Sequence, residues 1–365
     1  ILRPMQSTDT TIQGSGEQDV EALPALDCRA DLSYLDFVEG FRAFVLDDPS
    51  YQRSAEQALD HLESINGIRP SRLEEFKSTL DELPAVQMHN RLMRTQQEMK
   101  WHKLVPSLGA RRAELEKELA DFDSQGPGRL LLDPDFEPPS YVNVHFHLQP
   151  GTYYKDTLSG FMYHWGTKVF FRGDDDRDAL HDKLVDLVPP PADGRVSRIL
   201  DLACSVGQST TGLKRRFPTA DVWGIDHSAP MLRVAHRRAV LLKSDVTFAQ
   251  RLAEQTGLPD NHIDMVFAFI LFHELPIRIV AATVKEMARV LRPGGMFHVF
   301  DFLDSASMSP LELYHRDFDA RNNGEAYSQD FCDCDFHGLL EANGFSVKHM
   351  GTGGGYVKTY FAEKN

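Results

Sequence analysis

The stretch RILDLACSVGQSTTGLKRRFP, Arg198–Pro218, decides how the whole chain is read. Its first residues suit a buried strand, its middle is a turn of small residues, and its end starts a helix. A dinucleotide-binding fold would place G-x-G-x-x-G at this junction, so that the backbone approaches a pyrophosphate at a helix N-terminus. Only Gly207 is present. Asp201 ends the strand, and Ala203, Ser205 and Gly207 follow at every second position, with Cys204 a further small residue beside them. Small side chains let a ligand press on the backbone. A carboxylate in the loop repels phosphate and suits an ammonium group, so an amino-acid-bearing nucleoside fits these demands. The next strand-like run, VWGIDHSAPML, ends on Asp226, 19 residues after Gly207. A carboxylate there is placed to accept bonds from both hydroxyls of a ribose.

Outward from this junction, strands alternate with helices to the end of the chain. The strands are SRILDLA, ADVWGID, VTFAQ, HIDMVFAFIL and GGMFHVFDFL, and amphipathic helices stand between most of them. The last two, GFSVKHM and GYVKTYFAE, are separated only by a glycine turn, so they form an antiparallel hairpin. The expectation is an α/β fold with a Rossmann-like, mostly parallel, seven-stranded sheet, right-handed crossovers and one reversed strand near an edge.

At 365 residues two lobes are expected. Residues 1–25, rich in Thr, Gln, Ser and Gly, read as a flexible arm. Residues 26–125 read as a helical lobe of four or five helices, serving as a lid or as the surface of a homodimer. Tyr34, Phe37, Val38, Phe41 and Val45 form an apolar stripe there, and Ser71 with Glu74 forms a capping box. Residues 126–175 form a connector and an aromatic lid, and 176–365 the core. The net charge of −15, from 39 basic and 54 acidic residues, disfavours nucleic acid as a partner. No apolar run reaches membrane-spanning length, and the opening residues lack the layout of a secretory signal. Cys28, Cys204, Cys332 and Cys334 are too few and too oddly spaced for a disulfide framework, so a reducing cytoplasm is expected.

With these motifs in order, residues from about 176 onward resemble the class I S-adenosylmethionine-dependent methyltransferases, in their ubiquinone/menaquinone-biosynthesis-like branch. RILDLACSVGQST is similar to the family's first motif, with Ala203 and Ser205 standing where two glycines are usual. GIDHSAPML is similar to the second, LPDNHIDMVFAFILFHEL to the fourth-strand motif, and VLRPGGMFHVFDF to the approach to the fifth strand. The resemblance implies S-adenosylmethionine as cofactor and methyl transfer to a small-molecule acceptor by in-line displacement, in natural-product or secondary metabolism. It implies cofactor contacts from Asp201, Ala203, Cys204, Ser205, Gly207, Asp226, His227, Met231 and Phe269. The family's Asp-Ala pair after the third strand is replaced by Leu252-Ala253, so Gln250 or the backbone at Leu252 takes its place. Rival readings are a noncatalytic binder of the same cofactor, a non-methylating enzyme such as a cyclase or decarboxylase on this fold, and a macromolecular methyltransferase. The acidic charge, and the sequence FAFI where an amino-methylating enzyme carries its Asn/Asp-Pro-Pro-Tyr/Phe tetrapeptide, argue against the last.

Acceptor chemistry belongs beyond the carboxyl ends of the fourth and fifth strands. His273 in FHEL and Asp301 in HVFDF are the candidate catalytic residues, and Tyr314 lies in a segment that caps substrates in this fold. The run VHFHLQPGTYYKDTLSGFMYHWG supplies Tyr154, Tyr163 and His164 for the acceptor, and Tyr153 for the cofactor carboxylate. His145 and His147 share a face if this run is a strand, but no second cluster supports a metal, and none is expected.

Overall fold

The computed structural model describes residues 23, 24, 26–352 and 357–365. The expected arm at 1–25 lies almost entirely outside the described residues, as does the glycine turn over 353–356.

Five helices open the described chain: α1 (Arg29–Asp47), α2 (Pro49–Asn66), α3 (Leu73–Asp81), α4 (Pro84–Ala110) and α5 (Arg112–Phe122). Local chemistry sets their ends. Asp48 caps α2 by accepting from the Ser50 amide at 3.0 Å, Pro49 starts it, and Gly67 ends it at φ 75°. The cap of α3 falls one residue later than expected. Glu75, not Glu74, accepts from the amides of Ser71 at 2.9 Å and Arg72 at 3.2 Å. The stripe of α1 is also rotated. Leu35, Val38, Arg42 and Val45 are buried, while Phe37 is 58% exposed.

After β1 (Arg129–Leu131) come α6 (Ser159–Phe170), α7 (Ala179–Leu187), β2 (Arg198–Leu202), α8 (Gln208–Arg216), β3 (Asp221–Asp226), α9 (Ala229–Leu241) and β4 (Thr247–Gln250). The chain ends with β5 (Ile263–Phe269), α10 (Ile277–Val290), β6 (Leu291–Phe302), α11 (Pro310–Asn322), α12 (Ser328–Asp333), α13 (Phe336–Ala342), β7 (Phe345–Thr352) and β8 (Val357–Lys364). The strands form one sheet in the order β1-β4-β3-β2-β5-β6-β8-β7. β8 runs antiparallel to both its neighbours and every other pairing is parallel. The seven expected strands are present. An eighth, β1, comes from the connector, where Arg129–Leu131 pairs with Thr247–Ala249.

Strand order reverses between β2 and β5, so a crevice opens beyond the carboxyl ends of those two strands. One sheet face is covered by α10 and α13 through Val280, Val284, Met287 and Leu340, the other by α8 and α9 through Leu213, Leu232 and Ala235. The helical lobe is not a separate body. Trp101, Leu104 and Leu115 share one core with Phe161 of α6, Val206 of the first motif, and Met231 and Val234 of α9. Two glycines make this fit possible. A Cβ on Gly160 would lie 2.6 Å from the Pro230 carbonyl oxygen, and one on Gly166 2.6 Å from the Trp101 ring. The aromatic segment is therefore a packed seam between lobe and sheet. Among the described residues no helix is long and apolar enough to cross a membrane.

Candidate active site

A cavity of about 260 Å³ fills the space between the switch point and the helical lobe. Its floor is the first motif. Ala203 (φ 56°) and Ser205 (φ 52°) keep the left-handed backbone that glycine adopts freely, and Gly207 follows at φ 78°. A Cβ on Gly207 would strike the Phe248 ring at 2.7 Å, so this glycine serves packing behind the loop. Ile270, just past β5, is also left-handed at φ 55°. Ala203, Ser205 and Ile270 thus put left-handed non-glycine backbone where the two strands at the switch point end.

Asp201 is 2% exposed, and its Oδ2 accepts from Thr210 Oγ1 at 2.5 Å. Burial pushes its carboxyl up to about 7, with Thr210 pulling the other way. Asp226 accepts from the Ser205 amide at 3.0 Å and the Ser228 amide at 2.9 Å. Each of its oxygens keeps a lone pair for a further donor. Ser205 Oγ and His227 Nε2 are buried without a partner, and both residues line the cavity. Strand-end carboxylates, a pressed-in backbone and orphaned polar atoms fit a ligand with an ammonium group and a ribose diol.

The comparisons with known proteins point the same way. Residues 199–295 match a methyltransferase domain family. The chain is 30% identical over 181 residues to the ubiquinone/menaquinone biosynthesis C-methyltransferase of Syntrophotalea carbinolica, covering 45% of this chain and 75% of that protein. This chain belongs to the class I S-adenosylmethionine-dependent methyltransferases. It is an enzyme family whose cofactor is S-adenosylmethionine. The chain is also 29% identical over 138 residues to the trans-aconitate 2-methyltransferase of Variovorax paradoxus, covering 38% of this chain and only half (50%) of that relative. The crystal structure of magnesium protoporphyrin IX methyltransferase from Synechocystis PCC 6803, with bound S-adenosylhomocysteine, aligns over 51% of this chain and 83% of that one. Its TM-score is 0.42 at 20% identity.

Of the residues expected at the cofactor, Asp201, Ala203, Cys204, Ser205, Asp226, His227, Met231, Leu252, Phe269 and Tyr153 line the cavity. Gln250 does not. The Gln250 side chain ties the His227 carbonyl, at 3.0 Å, to the Asp133 amide, at 3.2 Å. Of the acceptor candidates, Tyr163 lines the cavity. Tyr154 lies against the sheet-face core beside His227. His164 is buried among Arg238, Asp175 and His181, and burial pulls it down to about 3. Tyr314 is buried in the helical lobe, bonded to Asp81 at 2.7 Å and Asn90 at 3.0 Å.

The two candidate catalytic residues, His273 and Asp301, lie behind the cavity wall and not on it. Asp301 is fully buried and accepts from the amides of Leu271 (2.9 Å), Phe272 (2.6 Å) and Phe302 (2.8 Å), and from His273 Nδ1 at 2.7 Å. Its two oxygens are taken up by these four donors, one of them His273. Burial pulls the imidazole pKa of His273 down, but the Asp301 carboxylate, joined by Glu325 and Glu274, outweighs it and the net shift is upward. The wall facing the cavity here is Glu274 and Glu325, with His147 beside them. Burial lifts Glu274 to about 8 and Glu325 in the same direction. Tyr153 donates to Glu274 Oε1 at 3.1 Å. His145 and His147 share no strand. His147 sits in a short turn at φ 51°.

The roof is cationic. Arg42, Lys100 and Arg316 line it and are 3%, 1% and 6% exposed. Sequence reading passed over Arg42 and Lys100, although a signal existed. Arg42 stands in the helical series Leu35, Val38, Arg42, Val45, and Lys100 in Met93, Gln97, Lys100, Leu104. A cation in a buried stripe is a query about its partner. Glu325, in a loop between α11 and α12, gave no such signal.

Proposed function

We propose that this chain transfers the methyl group of S-adenosylmethionine to a small anionic acceptor whose acid group lies under Arg42, Lys100 and Arg316. The buried cations of the roof carry this reading. The Lys100 ammonium has the Gly166 carbonyl at 3.3 Å and the Trp101 ring at 4.4 Å, and burial pulls its pKa well down. Arg316 meets Asp319 at 3.0 Å and stacks on Phe302, but its Nε and Nη1 are buried without a partner. Buried cations are costly unless a counter-charge completes them, and an acidic acceptor supplies it. The relative named for trans-aconitate, a carboxylic acid, is in keeping with such an acceptor.

The cofactor brings an already activated methyl group. The protein's part is alignment and exclusion of water. The roof fixes the acid end of the acceptor, Tyr163 and Trp101 wall it in, and the Asp201–Gly207 loop holds the other reactant opposite. Glu274 and Glu325 face the acceptor from the wall of the cavity.

Labelled S-adenosylmethionine with a panel of carboxylic acids and their neutral amides tests this. The acids should be methylated and the amides not. Lys100→Met should raise the acceptor KM roughly 10–100-fold, the loss of one charge-assisted hydrogen bond, with S-adenosylhomocysteine affinity unchanged. Equal turnover of acids and amides, indifferent to Lys100→Met, would overturn the anionic acceptor. Cofactor binding with no transfer to any acid would leave a noncatalytic binder.

A further inference from the structure

We propose that His273, Glu274 and Glu325 form a site for one first-row divalent cation in the wall of the acceptor cavity. The three donate from within 4.8 Å of one another. His273 Nε2 lies 3.6 Å from Glu325 Oε2. Two donors each about 2.1 Å from a tetrahedral ion stand about 3.4 Å apart, so the spacing is that of ligands around an absent centre.

Three independent features separate this group from a chance cluster of acids. First, His273 is fully buried, and its Nε2 has no hydrogen-bond partner although it is aimed at Glu325. Glu325 Oε2 is buried and unpartnered as well. Second, the tautomer suits a ligand. Nδ1 lies 2.7 Å from Asp301, which can only accept, so the neutral imidazole that a metal selects over the imidazolium carries its lone pair on Nε2, and three backbone amides lock the Asp301 carboxylate. Carboxylate–histidine–metal relays are built this way. Glu274 is oriented in turn by the Tyr153 hydroxyl. Third, two buried carboxylates stand together with only imidazoles beside them, His273 Nε2 at 3.6 Å and His147 Nδ1 at 3.2 Å from Glu325, and no lysine or arginine among the described residues is bonded to them. Arg316, whose charge is felt at Glu325, is engaged by Asp319 and Phe302 instead.

The donor set names the class of ion. One imidazole with two carboxylates suits Mn²⁺, Fe²⁺ or Zn²⁺ better than Mg²⁺ or Ca²⁺, which favour all-oxygen shells. Glu274 and Glu325 line the cavity, so the open positions of the ion face the acceptor. His147 borders the group, its Nε2 3.7 Å from Glu274 Oε1. The site goes beyond the methyl-transfer reading, and it is tested without turnover.

The full chain, stripped by chelation, is titrated with Zn²⁺ by calorimetry and with Co²⁺ by visible absorption. One ion per chain should bind, and the Co²⁺ spectrum should show nitrogen and oxygen ligands without thiolate charge transfer. Glu325→Gln should abolish the Co²⁺ spectrum. Tyr153→Phe, a gentler change that removes only the bond orienting Glu274, should weaken binding about 10-fold or more. The urea unfolding midpoint reports whether each variant is folded, and S-adenosylhomocysteine binding by the parent chain, measured in parallel, keeps this test separate from that of the methyltransferase reading. Absence of stoichiometric binding would overturn the site. So would unchanged affinity in both variants, or a thiolate band lost in Cys28→Ser, which would place the ion at the exposed group Asp27, Cys28 and Asp31.

Discussion

Asp201 shows how one side chain couples the fold to the ligand. Its carboxyl is fully buried with a single hydroxyl donor, and burial raises it to about 7. A folded-state pKa above the ordinary 3.8 means that protonation favours the folded, unliganded protein. That contribution is complete below about pH 3.8 and is lost as pH rises through about 7. A ligand ammonium reverses the preference by stabilising the ionised form. Affinity for S-adenosylhomocysteine should therefore fall about tenfold per unit as pH drops below about 7, and level off above about 8. Asp201→Asn should raise the melting temperature of the unliganded protein at pH 8 and weaken binding at the same pH at least tenfold. Calorimetry across this range checks both. A flat affinity profile would remove Asp201 from the ammonium site. This residue was legible from its place at a strand end before a small-residue loop. Its protonation was not, because that depends on how completely the strands flanking it, paired at Gly224 and Phe267, and the helices over them exclude water.

At the scale of elements, helix α6 sets the roof over the floor. It crosses α9 at Gly160 and α4 at Gly166, and Trp101, held against Gly166, donates from its indole to the His147 carbonyl at 2.7 Å. Gly160→Ala would place a methyl 2.6 Å from a backbone oxygen and 2.7 Å from Val234. The propensity gain of about 1 kcal/mol is outweighed by overpacking of roughly 1–3 kcal/mol. Gly40, inside α1, has nothing within 4 Å of a built Cβ, so Gly40→Ala should stabilise by about 0.5–1 kcal/mol. Urea midpoints should move in opposite directions, and a shared direction would mean that α6 is not tightly seated. Such seating explains what sequence reading missed. Strand periodicity and the Asp201–Asp226 spacing are local properties and were readable. The rotation of α1 that buries Arg42 and exposes Phe37, and the burial of Tyr314 against Asp81 and Asn90, are set by distant partners. The wall built by Glu274 and Glu325 joins residues 51 positions apart, and no spacing rule connects them.

For the molecule as a whole, the shared core predicts that lobe and sheet unfold together. Trp101 in α4 and Trp165 in α6 are 5% and 6% exposed within a core that also holds Val206, Met231 and Val234, whereas Trp223 lies on β3. Three cross-connections add to it: Arg233 with Asp123 at 2.8 Å, Arg237 with Glu118 at 2.6 Å, and Tyr314 with Asp81. Each pair alone is worth little, but the apolar seam they surround is not divisible. Single-tryptophan variants reporting from Trp101 and Trp223 should show superimposable urea transitions, and calorimetric and van't Hoff enthalpies should agree. S-Adenosylhomocysteine at about 100 times its dissociation constant should stabilise both probes alike, by about 2.7 kcal/mol. A chain lacking residues 1–125 would leave Phe161, Trp165 and Met231 bare and should aggregate rather than bind cofactor. Two resolved transitions, or a monomeric 126–365 fragment with the parent's affinity, would show instead that the sheet stands alone. The roof, with its buried cations, would then be an addition to a complete cofactor-binding unit, and acceptor specificity would be separable from folding.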